Sequence, residues 1–273
     1  MTAVSPDVST DRGAAVTARP GGFFRDVLSV AGRAVRALPR EPEAIIPALL
    51  IPVFFFFVNT GSLTDLAESS GAITDFKAFQ LPVSIVFAVT GISRAAALVT
   101  DIQGGYFDRL LVTPIKRPAL LLGLMVADFV LVILLGSVVT VMGLLLGIRF
   151  ETGILGIIAF LVIGALWGLA FAGFSYAIAL KTGNPAAVNS AFLLFFPFAF
   201  ISSTFLPVEQ LSGWMQSAAR VNPVTYLFEG LRALILEGWV WSSIGKALLA
   251  IAIMGFVSFS LAFAALKGRV AQR

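Results

Sequence analysis

Long apolar segments dominate this chain, and they constrain its fold more than any other feature of the sequence. Only 12% of the 273 residues are charged, whereas soluble domains carry about 25%. A chain with so much apolar surface needs lipid as its solvent. The predicted fold class is therefore an all-α membrane protein with six transmembrane helices. The predicted spans are 44–60, 81–100, 119–148, 154–180, 186–206 and 244–266.

The N-terminal region differs from the rest in composition. Residues 1–21 are small and polar with interspersed proline and glycine, which predicts a disordered cytoplasmic tail. Residues 22–42 predict an amphipathic helix, because apolar and basic side chains fall on opposite faces at 100° per residue. We expect it at the cytoplasmic membrane interface, although packing on another subunit is an alternative. Residues 43–273 form the predicted transmembrane domain. The apolar face holds Phe24, Val27, Leu28, Ala31, Val35 and Leu38, and the basic face holds Arg25, Arg33, Arg36 and Arg40.

The distribution of basic residues predicts the orientation. With the N-terminus inside, the inner segments hold thirteen of the 19 Lys and Arg residues, the outer segments hold five, and Arg94 lies within a span. Cytoplasmic loops carry an excess of Lys and Arg, so both termini are predicted to be cytoplasmic. An even number of spans agrees with this orientation.

Residue types absent from the chain exclude several kinds of chemistry. There is no His and no Cys, which removes the usual zinc and iron ligands and the Ser–His and Cys–His nucleophile pairs. No G-x-x-x-x-G-K-[ST] loop is present to bind phosphates. We therefore expect no enzymatic activity, no metal and no cofactor bound by this chain. The net charge of +4 does not indicate nucleic acid, since basic residues mark cytoplasmic loops here.

Two segments between spans have helical patterns that plain loops would lack. Residues 101–118 carry an apolar stripe of Phe107, Leu110 and Leu111, following glycines that permit a sharp turn. This pattern fits a short cytoplasmic helix that inserts into a partner's groove, or equally one lying on lipid. Residues 207–240 are too polar for a span and too apolar for a free loop. They predict two short helices dipping into the outer leaflet, or an external cap.

Both segments resemble ABC-2 type transporter permeases. Residues 206–234, LPVEQLSGWMQSAARVNPVTYLFEGLRAL, look like the signature of that family. Residues 104–123, GGYFDRLLVTPIKRPALLLG, are similar to its cytoplasmic segment, which often reads Gly-Thr-Leu-Glu-Arg-Leu-Leu-Val-Thr-Pro. This chain departs with Tyr106 where Thr is usual and with Gln103 where a charge is common. The subgroup that looks most similar is the daunorubicin-resistance-like exporters.

The resemblance implies a permease of the bacterial plasma membrane that moves hydrophobic or amphipathic substrates outward, such as a drug, an antibiotic or a lipid. A separate ATP-binding cassette ATPase, in two copies, would hold ATP and Mg²⁺, and a second permease copy would complete the path. The segment 22–42 would be the connecting helix beside a coupling helix, and the outer helices would form a re-entrant gate. The implied coupling residues are Gly105, Tyr106, Phe107, Asp108, Arg109, Leu110, Leu111, Thr113 and Pro114. The implied gate residues are Pro207, Gly213, Trp214, Asn222, Pro223, Thr225, Tyr226 and Arg232.

Two charges lie within predicted spans. A buried charge in a membrane is costly and needs a partner. At 1.5 Å per residue, Arg94 and Asp128 fall about 10–15 Å from the cytoplasmic boundary, on spans that are neighbours in the chain. We predict an intramembrane ion pair between their side chains, with snorkelling of Arg94 to the surface as the alternative.

A gradient-driven secondary transporter is the main alternative function. Such folds tend to show internal repeats and midplane charges for coupling ions, whereas this chain has no convincing repeat and one acidic residue within a span. An intramembrane enzyme is disfavoured, since Asp128 has no second aspartate in an adjacent span. The many phenylalanines suit either a path for apolar substrates or ordinary helix packing, and the sequence does not identify the substrate.

Overall fold

The computed structural model describes residues 22–69, 71, 73–105 and 117–271, and its regular structure within these ranges is helical. The α-helices are α1 (Phe23–Ala37), α2 (Pro42–Ser69), α3 (Phe76–Thr90), α4 (Ala95–Gln103), α5 (Arg117–Leu145), α6 (Gly153–Thr182), α7 (Pro185–Asn189), α8 (Phe195–Phe200), α9 (Gly213–Val221), α10 (Pro223–Leu236) and α11 (Trp241–Ala271). Short 3₁₀ turns occupy Leu38–Arg40, Ser190–Leu194 and Val208–Gln210. The predicted tail, residues 1–21, lies outside the described residues.

Five helical stretches in the described part of the chain are long and apolar enough to cross a membrane. They are Ile45–Ser69, Phe76–Gln103, Pro118–Leu145, Gly153–Thr182 and Trp241–Arg269. The all-helical prediction is therefore confirmed, and five of the six predicted spans have a matching helix. The remaining one, 186–206, is a succession of short helices that end at Phe200. Its helix stops where the side chain of Asn222 binds the backbone carbonyls of Phe198 and Ile201.

The first span is longer than its apolar run. We predicted 44–60 followed by an external loop, but α2 continues to Ser69. The extra turns are stabilised because Leu63 and Ala67 pack against Ile73, which precedes α3, and against Phe76 and Phe79 of α3. The side chain of Asp75 then caps α3 by accepting a hydrogen bond from the Ala78 amide at 2.9 Å.

The second span is broken. Helix α3 ends at Thr90 and α4 begins at Ala95, with Gly91–Arg94 between them. Glycine and serine at 91 and 93 are poor helix formers, and Phe192 packs close to Gly91. The break places four non-helical residues inside the bundle, where polar backbone groups need partners.

Contacts at the two ends of the bundle orient the remaining helices. At one end the Glu151 amide, just before α6, donates to the carbonyl of Ile235, the penultimate residue of α10. At the other end Arg269 donates to the Leu180 carbonyl, near the last turns of α11 and α6. Helices α6 and α11 therefore run parallel, side by side. A methyl group added at Gly173 of α6 would lie 2.7 Å from Ser258 Cβ of α11, so glycine permits this close approach.

The amphipathic helix α1 packs on the start of α5. A methyl group at Gly123 would lie 2.6 Å from Val30 Cβ, which shows how closely the two helices meet. Val30, Ala31 and Ala34 are buried, while Phe24 and Leu28 remain exposed. The buried side thus includes Val30 and Ala34, which lie beside the predicted apolar face, whereas the Phe24 and Leu28 side of that face is free to contact lipid.

Candidate functional site

A polar cluster surrounds the break between α3 and α4, and Asp128 of α5 lies at its centre. The Asp128 carboxylate is 1% exposed. One oxygen accepts a hydrogen bond from the Arg94 backbone amide at 2.6 Å, and the other accepts one from the Tyr176 hydroxyl of α6 at 2.6 Å. The first amides of a helix have no partner within it, so Asp128 caps α4 from a neighbouring helix. The carboxylate also lies where the α4 dipole favours negative charge.

The Arg94 side chain leads away from Asp128. Its guanidinium forms a two-pronged ion pair with Glu41, with N–O distances of 2.5 and 3.0 Å. The Arg94 side chain is 7% exposed and that of Glu41 is 38% exposed. The predicted ion pair between the side chains of Arg94 and Asp128 is therefore wrong in its atoms: the two residues meet, but through the Arg94 backbone. The guanidinium instead reaches a partly exposed carboxylate, and pairing with it offsets part of the cost of burying the charge.

A second ion pair ties the same region to the amphipathic helix. Arg33 of α1 lies 2.7 Å from Asp101 of α4. Both pairs join the N-terminal helices α1 and α2 to the α3–α4 unit. Helix α4 leads directly to Gly105, whose φ of 69° turns the chain out of the helix in a conformation that favours glycine.

A cavity of about 820 Å³ lies among these groups. Its charged lining consists of both ion pairs and Glu43, whose carboxylate forms no ion pair with a described residue. Phe87 and Phe192 line its apolar part. Cavities of this size with apolar walls and a few placed polar groups are typical of small-molecule sites.

Phenylalanines continue from this cavity along the bundle. Phe87 is the centre of the cluster, with its ring centroid 5.0 Å from that of Phe195 and 5.7 Å from that of Phe55. Phe55 in turn lies 6.2 Å from Phe205. Aromatic rings at these separations attract one another beyond simple burial. They form a continuous apolar seam between α2, α3 and the short helices.

Arg232 of α10 organises a second polar cluster, at the end of the bundle that holds Ile235. Its guanidinium donates to the Phe79 carbonyl, the Ser203 hydroxyl and the Ser203 carbonyl at 3.1, 2.9 and 2.6 Å. It also lies 3.4 Å from the centroid of the Phe79 ring, a cation–π contact. The irregular backbone at 201–204 obtains its partners from this side chain and from Gln80, which donates to the Thr204 carbonyl.

The structure brings together some of the predicted gate residues and separates others. Asn222 and Arg232 both bind the irregular backbone after α8. Pro223 begins α10, and Tyr226 donates to the Arg220 carbonyl. The Thr225 hydroxyl is buried with no hydrogen-bond partner among the described residues. The remaining three residues make no hydrogen bond to that cluster among the described residues. Pro207 precedes a 3₁₀ turn, Gly213 begins α9 with a φ of 59°, and Trp214 is 71% exposed.

Most of the predicted coupling residues lie outside the described residues, and of the nine only Gly105 is described. The undescribed ones are Tyr106, Phe107, Asp108, Arg109, Leu110, Leu111, Thr113 and Pro114.

Sequence reasoning missed Tyr176, Glu41 and Asp101 of the polar cluster around the α3–α4 break, as well as Gln80 and Ser203 of the cluster around Arg232. Tyr176 sits deep in an apolar span, where its hydroxyl needs a partner, and this was a usable signal beside Asp128. Glu41 and Asp101 flank the spans, where charged residues are common, so nothing in the pattern distinguished them. Their importance appears only once the break in the second span is known.

The long apolar helices and their buried polar links define a multi-pass helical membrane protein. The chain belongs to the ABC-2 type transporter family, whose profile matches residues 25–236. The predicted resemblance is thereby confirmed, and the relatives confirm the subgroup as well.

Three proteins with similar sequences are named as permeases of ABC transporters. The chain is 28% identical over 210 residues to the daunorubicin resistance ABC transporter permease protein DrrB1 of Streptomyces coeruleorubidus, covering 74% of this chain and 72% of that protein. It is 24% identical over 221 residues to the probable doxorubicin resistance ABC transporter permease protein DrrC of Mycobacterium tuberculosis, covering 81% and 80%. The probable multidrug ABC transporter permease YbhR of Escherichia coli is 22% identical over 196 residues, covering 68% and 52%.

Proposed function

We propose that this chain is the membrane-spanning permease subunit of an ATP-binding cassette exporter. It moves hydrophobic or amphipathic substrates outward, and a separate ATPase subunit supplies the energy. The observation that carries the proposal is the family match over residues 25–236, which includes both motif segments. Two ATPase copies hold ATP and Mg²⁺, and a second permease copy completes the path.

The two ion pairs support a route for coupling. The segment after Gly105 is where the ATPase docks in this proposal. Helix α4, which leads into that segment, is joined to α1 by Arg33–Asp101 and to the start of α2 by Arg94–Glu41. A displacement of α4 therefore pulls on both N-terminal helices. Asp128, held by Tyr176, fixes the N-terminal end of α4 at Arg94 against α5 and α6.

The direction of the helices supports six crossings. Helix α6, with 30 residues, is about 45 Å long at 1.5 Å per residue. The chain leaves α6 at one end of the bundle and enters the parallel α11 at the other. The segment from Pro185 to Leu236 must therefore cover that distance. In this proposal its short helices make the sixth crossing, and α9 with α10 form a re-entrant gate at the outer side.

Six crossings would put both termini on the same side of the membrane. The thirteen basic residues of the inner segments favour the cytoplasmic side of a bacterial plasma membrane. Non-helical backbone at membrane depth is tolerated only where protein or a water-filled cavity covers it. Asn222, Gln80 and Arg232 meet that requirement along residues 198–204.

The experiment is co-purification of the full chain with a co-expressed ATPase subunit, followed by ATP hydrolysis in nanodiscs. Phe107→Ala and Arg109→Glu are compared with Arg149→Glu, which makes the same charge reversal in the turn between α5 and α6. We expect the first two changes to abolish either association or substrate-stimulated hydrolysis, and the control to retain both.

A gradient-driven carrier would give the opposite pattern. In that case no ATPase subunit co-purifies, and substrate efflux from vesicles continues without ATP but stops when the proton gradient is dissipated. That result would contradict the proposed function.

A further inference from the structure

A groove of about 740 Å³ lies between the last turns of α6 and α11, apart from the cavity and the polar clusters described above. Its walls are apolar, with Phe174, Leu194 and Leu261 among the lining residues. Leu261 is 49% exposed and Leu194 is half-exposed. In a membrane protein such a wall faces lipid chains.

Two cations close the groove at its cytoplasmic end, as the proposed orientation has it. Lys181 and Arg269 line it, and no acidic residue does so among the described residues. Lys181 is the penultimate residue of α6, and Arg269 lies in the last turn of α11. Both side chains therefore sit at the depth where an apolar wall gives way to polar headgroups.

The Arg269 guanidinium is held in place. One terminal nitrogen donates to the Leu180 carbonyl at 2.9 Å, and the group lies against Gly183, whose φ of 60° ends α6. The Nε of Arg269 is buried with no hydrogen-bond partner among the described residues. The hydrogen bond to Leu180 fixes the guanidinium at the edge of the groove. Its positive charge there favours a negatively charged acceptor oxygen.

We propose that this groove binds one anionic phospholipid of the cytoplasmic leaflet. The phosphate lies between Lys181 and Arg269, and an acyl chain runs along Leu261 and Leu194. The combination decides the ligand: the apolar wall requires a chain, and the paired cations require a negative headgroup. The lipid then fastens α6 to α11 beside the site where α7 begins.

The test uses the purified full chain in detergent and native mass spectrometry. Phosphatidylglycerol and phosphatidylcholine with identical acyl chains are titrated in separate samples. Each basic residue near a lipid surface contributes roughly fivefold in affinity for an anionic headgroup. We expect the wild type to prefer phosphatidylglycerol, Lys181→Gln to reduce that preference roughly fivefold, and Lys181→Gln with Arg269→Gln to abolish it.

Lys246→Gln is the matched control, since it removes the same charge at the opposite end of α11. It should keep the wild-type preference. Leu261→Gln tests the acyl contact, and it should weaken both lipids alike while leaving the preference unchanged. Lys181→Gln leaves the hydrogen bond between Arg269 and Leu180 intact, so its effect is separable from a folding defect.

Three outcomes would overturn the proposal. Equal affinity of the wild type for the two lipids would mean that the cations only cap the ends of α6 and α11. An equal loss for Lys246→Gln and Lys181→Gln would mean general surface charge. Displacement of phosphatidylglycerol by free glycerol phosphate at similar concentration would mean a headgroup anion site without a lipid chain.

Discussion

The hydroxyl of Tyr176 on α6 lies 2.6 Å from the carboxylate of Asp128 on α5, and both side chains are fully buried. Through this contact α6 holds the carboxylate that caps α4. Two neighbouring helices thus stabilise the break in the second span. The contribution of the Tyr176 hydroxyl to the free energy of unfolding can be measured by removing that one oxygen.

Tyr176→Phe removes the hydroxyl and leaves one Asp128 oxygen without that donor. We expect a loss of about 1–3 kcal/mol, as for an unsatisfied buried polar group, seen as a lower melting temperature in detergent. Tyr226→Phe is the control, because the Tyr226 hydroxyl binds the Arg220 carbonyl at an exposed position. Equal melting temperatures for wild type and Tyr176→Phe would refute a stabilising role of the contact.

Glu41→Gln removes the partner of a buried guanidinium. Because Arg94 is far more buried than Glu41, we expect a loss of about 1–3 kcal/mol from the uncompensated cation. Glu43→Gln makes the same change two residues away, at a carboxylate with no ion pair among the described residues, and should change the melting temperature little. Restoration by the exchanged pair Glu41→Arg with Arg94→Glu would confirm the contact, and identical effects of the two single glutamines would count against it.

We expect Arg232→Gln to lower the stability of the protein more than Arg220→Gln does. Arg232 donates three hydrogen bonds to the backbone and side chain around Phe79 and Ser203, whereas Arg220 is exposed. We expect a loss of about 2–4 kcal/mol for Arg232→Gln and less than 0.5 kcal/mol, the usual range for surface changes, for Arg220→Gln. Arg232→Lys keeps the charge but loses the planar fork, so its melting temperature should fall between those of wild type and Arg232→Gln.

The orientation can be tested directly, because the chain contains no cysteine. Single substitutions Arg220→Cys and Lys267→Cys introduce one thiol each at exposed positions, the first in a segment predicted to be outer and the second in one predicted to be inner. A membrane-impermeant maleimide added to intact cells should label the first and not the second. Labelling of Lys267→Cys before lysis would reverse the proposed topology.

The sequence predicted the long helices well, because a span needs about 20 apolar residues in a row and nothing else in the chain imitates that pattern. Its errors fall where tertiary contacts override the local pattern. Asp65 and Glu68 suggested a loop, yet α2 continues through them to pack Ala67 against α3.

The breaks could not be predicted for a similar reason. Residues 186–206 are as apolar as any span, but Asn222 takes two of their carbonyls from a distance. The Arg94–Asp128 contact was placed correctly in space and assigned to the wrong atoms, because hydropathy does not reveal that α3 has already ended. Because α3 ends at Thr90, the Arg94 backbone amide at the start of α4 needs an acceptor. It binds the Asp128 carboxylate in place of the Arg94 guanidinium.

The cap of α4 has a consequence for how the protein is made. Asp128 lies 34 residues after Arg94, so during synthesis the second span leaves the ribosome before α5 can lie beside it. We expect residues 76–103 to insert as one continuous helix, which satisfies its own backbone. The break at Gly91–Arg94 would then form only after α5 has inserted. Its presence in the folded protein would therefore depend on the order in which the helices enter the bilayer.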